Sequence, residues 1–244
     1  MRGEGRPPLA KNQLLLQPPN PFSSILNHFQ MFEKLNKKQP PNKLRILAMQ
    51  NITTDRPTFV THLECGKTET HYAADQLHGL SEIGSPLLVR YDLQGISKAV
   101  SKDEVQSRPA DLWRYREFLP VRQANNIVSL GEIMTPLIDL ASLQSGRGRL
   151  IVKDEGRLPT GSFKARGLCM AVSMAKELGV TKLAMPTNGN AGAAMAAYAS
   201  RAGMETYIFC PDDTPEINVR EIAAQGAKVW RVNGLINDCG KLSS

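Results

Sequence analysis

The chain has 244 residues, 41% of them hydrophobic and 22% charged, with a formal net charge of +7. That length suits one large domain or two small ones, and the composition is that of a soluble globular protein. No apolar run approaches the roughly 20 residues of a membrane-spanning helix, so a membrane partner is not expected.

Chain order begins with a leader. Residues 1–50 carry eight basic residues against two acidic ones, while the rest of the chain is nearly balanced. Seven of the sixteen prolines fall before residue 49. Proline removes a backbone donor and fixes φ, so paired prolines fragment helices and strands. Residues 1–48 therefore read as a disordered, basic, Pro-rich leader with room for one short amphipathic helix at "SSILNHFQMFEKL". A basic arm can bind RNA phosphates, but nucleic acid is not the expected partner here. "LLL" is too short for a secretory apolar core, and two serines give little sign of an organelle address. Organelle targeting stays open beside a cytoplasmic expectation. Met49 reads as a natural start.

A second segment spans residues 49–128. "TFVTHLE", "THYAA" and "PLLVRYDL" read as short strands punctuated by Gly66, Gly79 and Gly84. Residues 103–128 read as mostly helical around "EVQSRPADLWRYREFLP". The third segment, 129–244, changes rhythm from Gly148. "RLIVKDE", "TKLAMP", "ETYIFCP" and "AKVWRVNG" read as strands. Helices alternate with them: "FKARGLCMAVSMAKELG" with Ser162 as N-cap, "AGAAMAAYASRAG", and "PEINVREIAAQG". They stop at Gly179, Gly203 and Gly226. Such alternation predicts an α/β fold, a parallel sheet with helices on both faces. Cys65, Cys169, Cys210 and Cys239 form no CxxC pair, so a reducing compartment is expected and disulfides are not.

Ligands of open parallel sheets bind beyond the carboxyl ends of the strands. Two loops stand out there, "RLPTGSFK" and "PTNGNAG", each ending on a helix N-terminus that favours anions. Lys164 sits in the first turn of one helix, where the positive helix end disfavours an ammonium and favours a nucleophilic amine. By position alone it could equally be a surface lysine, and "TNGN" an ordinary turn.

Together, "KDEGRLPTGSFKARG" and "PTNGNAGAAMAAYASRAG" resemble the threonine synthase family, fold-type II pyridoxal-phosphate enzymes of the tryptophan-synthase β-like superfamily. "THLECGKTETHYAADQLHGLSEIGSPLLVRYDL" is similar to the N-terminal part of that group. The resemblance implies pyridoxal 5'-phosphate as cofactor and an amino-acid substrate, O-phosphohomoserine, converted with water to threonine and phosphate. It makes Lys164 the Schiff-base lysine and proton shuttle, and Asn190 the partner of the cofactor's 3′-oxygen. Thr187, Asn188 and Gly189 would cradle the substrate carboxylate, and Ser162 and Phe163 would line the site. Asn188 departs from the small residue usual there. Threonine dehydratase is the alternative within the superfamily.

No metal is expected: His62, Cys65, His71 and His78 lack the spacing of a structural zinc site. The family's glycine-rich phosphate loop and the residue facing the pyridine nitrogen find no match. The chain therefore reads as a truncated N-terminal half with little activity by itself, or as a non-catalytic fragment. A homo-oligomer remains open. Limited proteolysis is expected to trim the protein back to near Met49. Protection of residues 1–48 to the same degree as the sheet would refute the leader reading.

Overall fold

The computed structural model describes residues 58–143, 146 and 148–243. The leader and its short helix lie outside the described residues.

The first unit is a three-stranded antiparallel sheet of order β2-β1-β3, from β1 (Val60–Cys65), β2 (His71–Tyr72) and β3 (Leu87–Tyr91). These are the three strands expected from the sequence. A helix not anticipated there follows at once, α1 (Leu93–Ala99). Its signal was Asp92, whose carboxylate accepts the Gly95 amide at 2.8 Å as an N-cap. Next comes α2 (Lys102–Ser107), capped by Ser101 and stopped at Arg108, before Pro109.

The helix expected over 103–128 does not continue. Leu112–Phe118 and Ala124–Asn126 are 3-10 turns, and Tyr115 leaves helical geometry. Proline supplies no amide, and the buried Arg114, Arg116 and Glu117 are held by side-chain bonds within the stretch rather than by a helical ladder.

The strand expected at "RLIVKDE" is also placed differently. β5 (Ile151–Lys153) pairs antiparallel with β4 (Leu137–Asp139), an element missed in the sequence, and stands outside the parallel sheet. Both are three residues long, and Leu137, Ile138, Ile151 and Val152 are exposed. A strand of a parallel sheet needs both faces covered, which these residues are not.

From there the expected alternation appears. α3 (Lys164–Glu177), β6 (Lys182–Pro186), α4 (Asn190–Ala202), β7 (Glu205–Pro211), α5 (Glu216–Ala224) and β8 (Lys228–Val232) follow in order, and a helix not anticipated in the sequence, α6 (Ile236–Ser243), comes after them. The strands form a parallel sheet of order β6-β7-β8. Gly203 ends α4 in the left-handed conformation, φ 71°, which glycine adopts without steric cost. α6 packs on β6 and β7. No described helix is long and apolar enough to cross a membrane. All four cysteines are free and buried.

Two clusters form the core. One joins α4, α5 and the sheet through Ala193, Ala196, Ile208, Val219, Ile222 and Val229. Fully buried Ile208 and Ile222 each contribute about 1.5–3 kcal/mol. An exposed pair such as Lys182–Glu205 adds at most about 1 kcal/mol. Burial, not surface charge, therefore holds the sheet.

The second cluster packs Trp113, Val121, Val128 and Leu158 against Ala165, Cys169 and Val172 of α3 and Tyr198 of α4. The boundary expected at residue 128 falls inside it. At its centre lies Glu132, with no exposed surface. Its carboxylate accepts from Trp113 Nε1 (3.3 Å), Ser129 Oγ (2.6 Å), the Leu130 amide (2.8 Å) and the Tyr198 hydroxyl. Burial, reinforced by this bond, pushes the Tyr198 phenol well above its usual range. Tyr198→Phe is expected to destabilise the protein by about 1–3 kcal/mol, because it strips a donor from a buried carboxylate. An unchanged urea midpoint would show that the remaining donors suffice.

Candidate active site

The loop before α3 is built from bent backbone. Leu158 is buried, Pro159 opens a short 3-10 turn, and Thr160 and Gly161 both take positive φ, 60° and 65°. For a β-branched residue such as Thr160 this conformation costs about 1–3 kcal/mol. The Thr160 hydroxyl oxygen is buried and has no hydrogen-bond partner among the described residues.

The chain then enters α3 one residue later than expected. Phe163, not Ser162, is in the cap position. Ser162 is buried and its Oγ still accepts the Lys164 amide at 3.3 Å. Phe163 is 60% exposed, and Lys164 Nζ lies 4.9 Å from the centre of its ring. The Lys164 amine makes no ion pair with any described residue.

The first turn of α3 is anchored by a pair that sequence reasoning did not single out. Arg166 Nε donates to Glu155 Oε2 at 2.6 Å, and Nη2 donates to Oε1 at 2.9 Å. The Thr135 hydroxyl donates to the same Oε1, and Lys153 Nζ lies 3.6 Å from it. This two-bonded geometry ties the segment after β5 to the helix that presents Lys164. The signal was present in "KDEGRLPTGSFKARG", where an acidic and a basic residue bracket the loop, but charge order alone does not reveal a contact.

The second loop lies at the start of α4, and the Pro159–Gly161 turn packs against that same helix. Thr187 is buried, and its Oγ1 accepts the amides of Gly189 and Gly192, both at 3.0 Å. Its hydroxyl thus faces the loop's own backbone. Two glycines are required. At Gly192 a Cβ would stand 2.4 Å from Thr187 Cγ2. At Gly189, φ is 147° and a Cβ would meet Asn218 at 3.0 Å. Asn188 and Asn190 are exposed, and Asn190 Oδ1 accepts from Asn218 Nδ2 at 3.5 Å. The Asn190 and Ala191 amides, in the first helical turn, have no intrahelical acceptor.

A groove of about 900 Å³ lined by Leu93, Ile96, Val105, Tyr115 and Phe118 contains none of these residues. Its lining is mainly apolar, with Ser97, Ser101, Lys102, Gln106 and Arg114 among it, and it includes no residue of either loop, so the site is placed by the loops and not by cavity size.

A lysine at the first turn of one helix, a glycine-shaped loop at the first turn of the helix packed against it, and an adjoining parallel sheet define a class of α/β cofactor enzymes. Residues 128–243 match the family described as "Pyridoxal-phosphate dependent enzyme". The cofactor and fold expected from the sequence are those of that family.

The relatives are more particular. The threonine synthase of Methanocaldococcus jannaschii is 37% identical over 179 residues, 72% of this chain and 44% of that protein. The threonine synthase of Halalkalibacterium halodurans is 41% identical over 125 residues, 50% of this chain and 35% of that protein. A solved structure, diaminopropionate ammonia lyase from Escherichia coli, aligns at TM-score 0.45 and 22% identity, over 49% of this chain and 36% of that one. The chain spans less than half the length of each of these proteins.

The Arg166 guanidinium holds the Glu155 carboxyl down at about 2, against an ordinary 4.5. A carboxylate lowered on folding adds stability that is present above pH 4.5 and is lost as pH falls toward 2. Glu155→Gln is therefore expected to lower the urea midpoint at neutral pH, with the gap to the parent closing as the medium approaches pH 2. A gap that stays constant with pH would show that the Glu155 charge contributes nothing.

Proposed function

We propose that this chain carries the cofactor lysine and the substrate loop of a threonine synthase, acting on O-phosphohomoserine and water to yield threonine and phosphate. The observation that carries the reading is Lys164: an amine free of ion pairs among the described residues, at the head of α3, inside "PTGSFKARG". The relatives named threonine synthase point to the same product.

The residues present suit the cofactor. Among the described residues the Lys164 amine pairs with no carboxylate and lies over the Phe163 ring, the Thr160 hydroxyl four residues earlier has no partner, and Gly189 holds the loop in a conformation that a side chain would strain. Pyridoxal phosphate, when bound, stabilises negative charge at the substrate's α-carbon. Lys164 holds the cofactor and moves the proton at that carbon. Asn190 donates its amide to the cofactor's 3′-oxygen. Asn188, with the first-turn amides of α4, takes the substrate carboxylate, and the positive helix end favours it there. Thr187 and Gly189 act by shape: the Thr187 hydroxyl holds the loop, and glycine lets Asn218 approach. Ser162 fixes the start of α3, and Phe163 supplies an apolar wall. Glu155 and Arg166 keep Lys164 in register with the second loop.

The test separates cofactor capture from turnover. Borohydride reduction in the presence of pyridoxal phosphate is expected to label the Lys164 peptide, and Lys164→Ala is expected to lose the label. Label spread evenly over the surface lysines would sink the assignment. Phosphate release from O-phosphohomoserine, dependent on Lys164, is the expected activity, assayed with the chain alone and with the remaining length of the relatives supplied. Deamination of threonine in its place would make the reaction that of a dehydratase and overturn the substrate.

A further inference from the structure

The N-terminal sheet gathers three metal-type donors away from the lysine loops. His62 and Glu64 lie two residues apart on β1 and so share a face. Cross-strand register sets His71 of β2 opposite Glu64. One donor atom from each lies within 4.8 Å of the others. The Nε2 atoms of His62 and His71 are each 3.8 Å from Glu64 Oε2. Of the residues weighed in the sequence, Cys65 bonds instead to Ser81, and His78 to the Ala73 carbonyl.

The hydrogen bonds decide where the lone pairs point. The Thr61 hydroxyl has one proton and donates it to the Arg90 carbonyl at 3.2 Å. At its 2.9 Å contact with His62, the ring Nδ1 must then be the donor. Nε2 of neutral His62 is left as a bare lone pair. That nitrogen is buried and has no hydrogen-bond partner among the described residues. It faces a carboxylate oxygen, also only an acceptor. Arg90 Nε donates to the other carboxylate oxygen, Oε1, at 2.9 Å, so Oε2 is the atom turned toward both imidazoles. Two facing acceptors are stable with a cation between them, either a proton or a metal ion.

We propose that His62, Glu64 and His71 form a site for a divalent transition metal of the zinc, cobalt and nickel class. Two imidazoles and a carboxylate are a donor set these ions accept. Donors at about 2.0–2.1 Å from a tetrahedral zinc stand about 3.3 Å apart, so the two 3.8 Å separations need close by about 0.5 Å, and the His62 and His71 rings, stacked with centroids 3.8 Å apart, turn so that both Nε2 lone pairs meet the ion. The His71 side chain is 63% exposed, which leaves a solvent side where water completes the coordination. Thr61 fixes the His62 tautomer and Arg90 orients Glu64, the duties of outer-shell partners. The ion ties the two-residue β2 to β1. Arg90 opposes the added positive charge, so binding is weaker than in an all-cysteine site.

The full chain, stripped of metal by a chelator, is titrated with Co²⁺ followed by visible absorption, and then with Zn²⁺ in competition. One equivalent of Co²⁺, with ligand-field bands displaced by Zn²⁺, is expected. Glu64→Gln and His71→Ala are expected to weaken binding about tenfold or more, and His78→Ala to leave it unchanged. The ring of His71 is exposed, so its variant keeps the fold. Absence of saturable one-to-one binding would overturn the site and assign the cation between His62 and Glu64 as a proton, visible in the ring nitrogen shifts. Equal loss in His78→Ala would overturn it too, as scattered surface binding.

Discussion

The carboxylate of Glu132 is the constraint on which the architecture turns. A charge taken wholly out of water costs several kcal/mol unless it is fully bonded. Here the four donors come from three places: the 3-10 segment through Trp113, the loop that follows it through Ser129 and Leu130, and α4 through Tyr198. None of these pieces can move without leaving part of the charge unsatisfied. Cys169 of α3 packs in the same cluster, and its thiol is pushed upward by burial and by the neighbouring carboxylate. The irregular stretch before residue 135 is thereby fastened to the two helices whose first turns carry Lys164 and Asn190.

Those first turns are then held locally, by two different devices. At α3 the device is electrostatic: Glu155 and Arg166 close a pair across the loop, with Thr135 completing the carboxylate's bonds. At α4 it is steric and hydrogen-bonded: Thr187 takes two amides, and its methyl leaves no room for a side chain at residue 192. The strain at Thr160 fits this picture. A β-branched residue stays in the left-handed region only when the surrounding structure over-determines it, and the packed turn and the anchored helix do so.

The chain thus falls into a catalytic-type sheet whose two candidate loops are fixed from behind, and an antiparallel sheet that carries its own polar cluster. In that first sheet, His62, Glu64, His71 and Arg90 face each other because register sets Glu64 opposite His71 and pairs Arg90 with His62. On the parallel sheet the comparable lateral contact is aromatic, with Tyr207 and Phe209 both stacked on Trp230.

Local order was legible from residue 148 to about 232, and not for α6 beyond it, because those elements carry their own punctuation: apolar runs for strands, glycines with positive φ at helix ends, and a proline- and glycine-shaped loop before Lys164. The family motifs are likewise contiguous, so Lys164, Thr187, Asn188, Gly189 and Asn190 could be named as candidates from sequence. Failures came where structure depends on partners far along the chain. The strand at 151–153 and its partner at 137–139 look like ordinary apolar runs, and only their pairing reveals a separate ribbon. The helix foreseen over 103–128 gave way because side-chain bonds of Arg108, Arg114 and Arg116 within the segment, and Trp113 on Glu132, hold it in place of a helical ladder. Glu132, Glu155, Arg166 and Glu64 carry no local signature: each acts through residues on other elements. Sequence by itself determined the elements and the candidate loops, because helix caps, turns and contiguous motifs are short-range. Tertiary structure alone decided which charges are buried, paired or gathered, because a carboxylate's surroundings come from chain segments that only folding brings together.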